Sequence, residues 1–268
     1  MKYIYPDGKP KALTFSYDDG EHYDRRLVGI FNEYGLKGTF HLNSGNLGKQ
    51  TPGNIYVDPD EITSLYEGHE VACHGVHHKN MPRIPLSVMT RELYEDRIAL
   101  EKYTGKIVQG FSYPFGNYTP ELIDALKAVG LKYARTVEAT HGFFPPGDFM
   151  MWHPTCHHYE DLIEDGKRFL DVPDYIELPL MYVWGHSFEF GRANDWTIIE
   201  EFAKMMSGKS DIWYATNMEI YDYLTAIRAL EYSADESKVH NPSAISVWYE
   251  HNGQICKIGS GETKTIKD

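Results

Sequence analysis

The sequence predicts an α/β fold, a distorted (β/α) barrel with a small β appendage at its C-terminal end. Three observations predict it. Short apolar runs alternate with amphipathic stretches from Lys11 to about Leu230, the pattern of repeated β-α units around a parallel sheet. The residues with the most chemical potential each follow one of those runs, at the end of a strand where barrel sites are built. Near residue 233 the rhythm changes, and His251-Asn252-Gly253-Gln254 between two alternating runs is a hairpin signal. The expected division is a barrel over residues 1–232 and a β-hairpin extension over 233–268.

Lys11 to Tyr17 reads as the first barrel strand. Tyr23 to Tyr34 spaces Leu27, Ile30, Phe31 and Tyr34 for a helix that stops at Gly35. Gly38 to Leu42 is a strand. Asp58 can cap a helix with Pro59 in its first turn, ending near Gly68. Glu70 to Cys73 is a strand, and Pro85 to Tyr103 a helix with Leu93, Ile98 and Leu100 inward. A strand at Lys106–Phe111, a helix at Thr119–Val129 and a strand at Leu131–Thr136 follow. Residues 137–157 break the rhythm with Gly142, Pro145, Pro146, Gly147 and Pro154, a long irregular segment placed to cover a site. Then come a helix (Tyr159–Leu170), a strand (Ile176–Trp184), a helix (Trp196–Met206), a short strand (Ile212–Tyr214) and a helix (Asn217–Leu230).

The 268 residues suffice for a core that needs no disulfide staples. Cys73, Cys156 and Cys256 are odd in number and without paired spacing, which predicts reduced thiols. No apolar signal segment precedes the first strand, so the expected setting is cytoplasmic, and no run approaches the ~18 apolar residues of a membrane span. A net charge of −13 argues against nucleic acid and polyanionic partners. The sequence is silent on oligomeric state.

Asp18 and Asp19 end the run Ala12-Leu13-Thr14-Phe15, and Gly20 turns the chain after them. At a strand terminus both carboxylates can face one pocket, where they repel unless a cation sits between them or one takes a proton. That suits a metal ligand beside a general base. His74 and His78 follow a strand at i, i+4 spacing, so on a helical turn they would share a face, as two imidazoles on one ion must. His77 is expected to point elsewhere. Tyr113-Pro114-Phe115-Gly116 is a tight turn after a strand, and His186 closes the apolar stretch from Ile176 to Trp184. The Asp-Asp-Gly turn, the Tyr113 turn and His186 each alone read as a polar turn or a structural histidine, while His74 and His78 already point to a metal; the ordered set points to chemistry.

Together and in this order the pieces resemble the polysaccharide deacetylases, the NodB-like proteins of carbohydrate esterase family four. Their motifs run Thr-Phe-Asp-Asp-Gly, His-Ser-x-x-His, Arg-x-Pro-Tyr-Gly, an Asp/Trp motif and Leu-x-His. The resemblance spans about residues 11–230 and implies a NodB-type barrel. It implies a divalent metal, zinc, on Asp19, His74 and His78, with Asp18 as catalytic base and His186 as general acid. It implies an oxyanion contact from the backbone N–H of Phe115, with Tyr113, Trp152 and Trp184 at the substrate. The implied reaction is hydrolytic removal of acetyl groups from an acetylated oligosaccharide or polysaccharide.

The chain departs from the motifs. Ser16-Tyr17 is inserted before Asp18, Gly75 replaces Ser or Thr, and Trp184 replaces Leu. Asp148 to Trp152 is the best match to the Asp/Trp motif. Ser112 stands where the family has an arginine that pairs with the catalytic aspartate. Arg135 ends the apolar stretch Val129–Ala134 where a barrel strand would open onto the site, so it is expected to reach Asp18 instead. Other readings stay open here: an allantoinase-like hydrolase of a small amide, a carbohydrate-binding protein that has lost catalysis, and a scaffold protein acting through the tail.

Overall fold

The computed structural model describes residues 1–266. Strand β1 (Lys11–Asp19), buried along all but its last residue, is the centre of an eight-stranded parallel sheet. The others are β2 (Gly38–Leu42), β3 (Glu70–Cys73), β4 (Gly110–Ser112), β5 (Tyr133–Arg135), β6 (Cys156–His157), β7 (Leu180–Gly185) and β8 (Ile212–Tyr214). Their order is β5-β4-β3-β2-β1-β7-β6, and β8 pairs with Lys11–Leu13 of β1. The segment around β6 reaches both edges: Trp152 bridges to Arg135, and Cys156–His157 pairs with Val183–Trp184. The sheet therefore curls into the distorted barrel that the sequence predicts. Connecting helices are α1 (Asp24–Tyr34), α2 (Leu86–Thr104), α3 (Pro120–Ala128), α4 (Leu162–Leu170), α5 (Ser187–Ala193), α6 (Thr197–Met206) and α7 (Asn217–Arg228).

The two faces of β1 differ in kind. Side chains alternate along a strand. Leu13, Phe15 and Tyr17 face the helices, where Phe15 packs 4.6 Å from Phe31 and Tyr17 meets Phe31, Phe40 and Phe190. Thr14, Ser16 and Asp18 face inward, where Thr14 hydroxyl donates to Asn217 and Ser16 Oγ lies 3.1 Å from His41 Nδ1. The Ser16-Tyr17 pair thus continues the alternation and keeps Asp18 on the inner face.

Several boundaries differ from the sequence expectation. The strand expected over Lys106–Phe111 shrinks to Gly110–Ser112, because the four-residue β3 beside it offers one paired residue, Cys73 against Phe111. Ile98 is 48% exposed while Leu93 and Leu100 are buried, so the inner stripe of α2 is narrower than expected. The helix expected from Asp58 is a 3-10 turn, Pro59–Glu61, with one α turn after it; Asp58 and Glu61 form the reciprocal cap at its start. The helix expected from Tyr159 starts at Leu162, after the left-handed residue Asp161. Helix α5 and strand β6 carry no clear sequence signal.

At the C-terminal end, Val247–His251 and Gln254–Ile258 form the expected hairpin, turned by Asn252 (φ 50°) and Gly253 (φ 73°). Its sheet also takes in Lys2–Ile4 from the other end of the chain. Glu231–Tyr232, Lys238–His240 and Thr263–Thr265 form a second small antiparallel sheet. Tyr223 on α7 ties the hairpin to the barrel, donating to the Ile4 carbonyl and accepting from Trp248 N–H. The three cysteines are free, and no helix among the described residues is long and apolar enough to cross a membrane.

Candidate metal centre and its surroundings

Strict alternation would send Asp19 to the helix side with Tyr17. Two consecutive left-handed residues prevent this, Asp19 at φ 80° and Gly20 at φ 70°. A non-glycine residue in that region is strained and persists only when its surroundings hold it. The turn brings Asp19 alongside Asp18. Asp19 Oδ1 lies 3.7 Å from both His74 Nε2 and His78 Nε2. The third edge, between the imidazoles, lies within 4.8 Å, and ligand atoms at ~2.0–2.1 Å from a tetrahedral ion stand about 3.4 Å apart, so the two Asp19 edges need only a small contraction.

His74 and His78 converge, but not by the helical face expected from their spacing. The segment after Cys73 is a loop, and left-handed Gly75 (φ 78°) and His78 (φ 51°) fold it back until the rings are 4.8 Å apart. Buried Asp96 on α2 fixes this loop by accepting from the backbone N–H groups of Ser44, His74 and Gly75 at 2.9–3.0 Å. Asn43 Nδ2 donates to the carbonyls of His74 and Gly75. His77 turns away to Glu92 at 2.8 Å.

The chemistry of His74 fits a metal ligand. Its Nδ1 lies 2.8 Å from the Ser112 carbonyl, which only accepts, so Nδ1 carries the hydrogen and Nε2 presents a lone pair toward Asp19. Ser112 Oγ donates to Asp18 Oδ1 at 3.1 Å and accepts from the same His74 N–H at 2.7 Å. The serine thus links the base candidate to a ligand candidate.

Arg135 is fully buried and its Nη2 donates to Asp18 Oδ2. Its Nη1 donates to the Thr136 carbonyl, and its guanidinium lies 4.4 Å over the Trp184 ring. Burial alone would raise the Asp18 carboxyl, but Arg135, with His74, His41 and His186, holds it well below the usual carboxylate range. His41, beneath Asp18 at 3.5 Å, is held well below its ordinary value by burial and stays neutral.

His186 follows β7 and is half-buried. Its Nδ1 lies 3.3 Å from Glu189 Oε2, and its backbone N–H donates to the same oxygen. Burial would lower its pKa, but the Glu189 contact and the charges of Asp18 and Asp19 raise it above the ordinary histidine value. A separate cavity of about 420 Å³, lined by Lys37, Tyr66, His69 and Glu70, opens at the opposite end of the strands.

Residues 5–134 match the family model described as Polysaccharide deacetylase. That stretch, just under half of the chain, is similar to the polysaccharide deacetylases. A chitin deacetylase from Pestalotiopsis sp is 24% identical over 123 residues, 45% of this chain and 40% of that protein, so the match spans less than half the length of the curated relative. Among solved structures, one of a Mycobacterium smegmatis protein named for polysaccharide deacetylase shares 19% identity at a TM-score of 0.63, covering 85% of this chain and 94% of that one. PuuE allantoinase shares 14% identity at a TM-score of 0.64, covering 81% and 91%. At these identities the structural likeness speaks to the fold, which is the (β/α) barrel of the polysaccharide deacetylases.

Set against the family motifs, the remaining expected residues fall in two groups. Phe115, left-handed at φ 60° and 60% exposed, stands with its ring 4.6 Å from His78. Trp184 lies on the inner face beside Arg135 and His157. Tyr113 is interior, its hydroxyl given to the Met150 carbonyl. Trp152 is interior too, packed among Tyr133, Phe149 and Tyr182, and Asp148 caps the Phe149–Met151 turn by accepting from Met150 N–H. Sequence reasoning missed Asp96 and Glu189. Asp96 had a signal: it sits between Leu93 and Leu100 at helical spacing, a carboxylate on an apolar stripe. Glu189 had none.

Proposed function

We propose that this chain is a divalent-metal hydrolase that removes acetyl groups from an acetylated carbohydrate. The observation that carries the reading is the Asp19–His74–His78 triangle with the Asp18–Arg135 pair directly beside it, at the C-terminal ends of β1, β3 and β5. In this reading all the chemistry lies in residues 1–232 and none in 233–268.

Asp19, His74 and His78 would hold the ion, with zinc the metal that two imidazoles and a carboxylate suit. When bound, a divalent ion there acidifies water and polarises an acyl oxygen. Asp18, kept ionised by Arg135, takes the proton of the attacking water as the oxygen bonds to the acetyl carbon. The Phe115 turn offers a backbone N–H toward the developing oxyanion. His186, whose acidic neighbours favour its charged form, gives its proton to the departing nitrogen or oxygen as the bond to the acetyl carbon breaks. The products are acetate and the freed amine or hydroxyl. Ser112 in place of the family arginine does not by itself argue for a protein without catalysis, since Arg135 brings a guanidinium to Asp18 from the neighbouring strand.

The test is acetate release from N-acetylated glucosamine oligomers and O-acetylated xylan fragments, using metal-stripped protein before and after zinc is returned. Zinc-dependent release is expected. No release from any substrate, with zinc demonstrably bound, would defeat the reading and favour a small non-sugar amide or a binding protein.

A further inference from the structure

A second group of metal-type residues lies next to His186. His157 Nε2 and His158 Nε2 each stand 3.1 Å from Glu189 Oε2, and the three donor atoms lie within 4.8 Å of one another. His186 approaches the same oxygen twice, through its backbone N–H at 3.1 Å and its Nδ1 at 3.3 Å. The His157 side chain hydrogen-bonds Glu189, while His158 Nε2 and His186 Nδ1 lie beside the carboxylate without a bond. This is either a second cation site or a cluster of imidazoles around one carboxylate, and the tautomer of His157 separates the two.

At His74 the ring nitrogen away from the centre faces a carbonyl, so the inner nitrogen is free to ligate. At His157 the arrangement is reversed. The backbone N–H of Tyr159 donates to His157 Nδ1 at 3.3 Å, so Nδ1 offers the lone pair and Nε2 carries the hydrogen. That hydrogen goes to Glu189. A cation on Nε2 would put the hydrogen on Nδ1, facing another N–H.

We propose that His157, His158 and Glu189 form the positioning cluster of His186, in which the Glu189 carboxylate, held by His157, stands 3.3 Å from Nδ1 of that imidazole, pairs with its charged form and leaves its Nε2 for the departing group. The cluster is braced on two sides. His158 is fully buried and clamped between Tyr17 (12° between ring planes, 5.7 Å) and Phe190 (4.0 Å), with Gly185 so close that a Cβ there would lie 1.9 Å from its Nδ1. His157 comes from β6, the strand that joins the long 137–157 segment to the sheet. The orientation of His186 is therefore tied to a segment far from it in sequence. The charged and titratable groups acting on His186 are Glu189, Asp18, Asp19, Glu21 and His158.

This inference rests on the hydrolase reading, and its test has one arm that does not need turnover. Glu189→Gln keeps the size of the side chain and removes its charge. Acetate release should fall about 10- to 100-fold, a share of the ~10²–10⁴ that a positioned acid contributes, with zinc content unchanged. The alkaline limb of the rate profile should move to lower pH, because the imidazolium loses its carboxylate partner. An NMR titration of the His186 ring should show the same downward shift whether or not the protein turns over substrate. If Glu189→Gln does not fold, Glu189→Asp, which stops one methylene short, takes its place. An unchanged His186 titration overturns the proposal. So does a second zinc equivalent in the unmodified protein that is lost in Glu189→Gln and His157→Ala.

Discussion

Replacing Arg135 by methionine tests the centre of the site most directly. The guanidinium is fully buried and pairs with an Asp18 that is 3% exposed. Methionine fills much of the volume of the arginine stem and supplies no charge. Removing one partner of a buried ion pair costs about 3–5 kcal/mol, chiefly because the other charge stays buried and unpaired. The Ser112 hydroxyl remains on Asp18, so the cost is not that of an unsolvated ion, and the lower end is expected. The pH dependence makes the reasoning specific. In the unmodified protein the Asp18 carboxyl is depressed, so its stabilisation is fully present above the unfolded value of about 3.9 and is lost only in stronger acid. In Arg135→Met burial is opposed only by the Ser112 hydroxyl and the imidazoles of His74, His41 and His186, and the carboxyl rises. The variant then loses stability as pH rises from about 4, by up to about 1.4 kcal/mol per unit, until Asp18 ionises. Urea unfolding of metal-free protein at pH 5 and pH 8 should show a gap between the two proteins that is larger at pH 8. The double variant Asp18→Asn/Arg135→Met should cost less than the sum of the two single changes. A gap under about 1 kcal/mol, or one independent of pH, would refute the account, since a buried pair predicts neither.

Other outcomes follow from the same geometry. Ser112→Ala removes the hydroxyl shared by Asp18 and His74 but leaves the carbonyl that sets the His74 tautomer. Zinc affinity should therefore fall by no more than about 10-fold, at the low end for outer-sphere partners, as read by competition with a chelating dye. Asp18→Asn should keep bound zinc and lose acetate release, while His78→Ala should lose both, as seen by metal analysis beside the rate assay. Gly185→Ala places a Cβ into the His158 ring and should lower the thermal midpoint, by the ~1–3 kcal/mol of an overpacked core. Asp24 is buried between the Tyr66 and Ser187 hydroxyls and is pushed up to about 7, chiefly by burial. The folded chain thus keeps a proton that the unfolded chain releases near 3.9, so this group makes stability fall between about pH 4 and pH 7. Asp24→Asn should flatten that slope in a denaturation series.

Much of the architecture was legible because it is local. The strands at Gly38–Leu42, Glu70–Cys73 and Ile212–Tyr214 coincide with apolar runs, since a sheet buried on both faces needs little else. The hairpin at Asn252-Gly253 was legible because few other residue pairs adopt its turn so readily. Ile98 misled because helical spacing marks a stripe without giving its width. Strand β6 was hidden because two residues carry no periodicity.

The sequence by itself determined the order and chemical type of the groups: paired carboxylates after one strand, two histidines after another, a histidine after a third. It also put an arginine at the end of a neighbouring strand. Only the tertiary structure decided how they meet. Left-handed backbone at Asp19, Gly75 and His78 aims the candidate ligands, and such conformations depend on the surrounding contacts more than on residue type. The partners of Asp18 come from β4 and β5, and His157, which shares the Glu189 carboxylate with His186, comes from β6. Strand spacing and sheet order place them together, and neither is written in the spacing of residues along the chain.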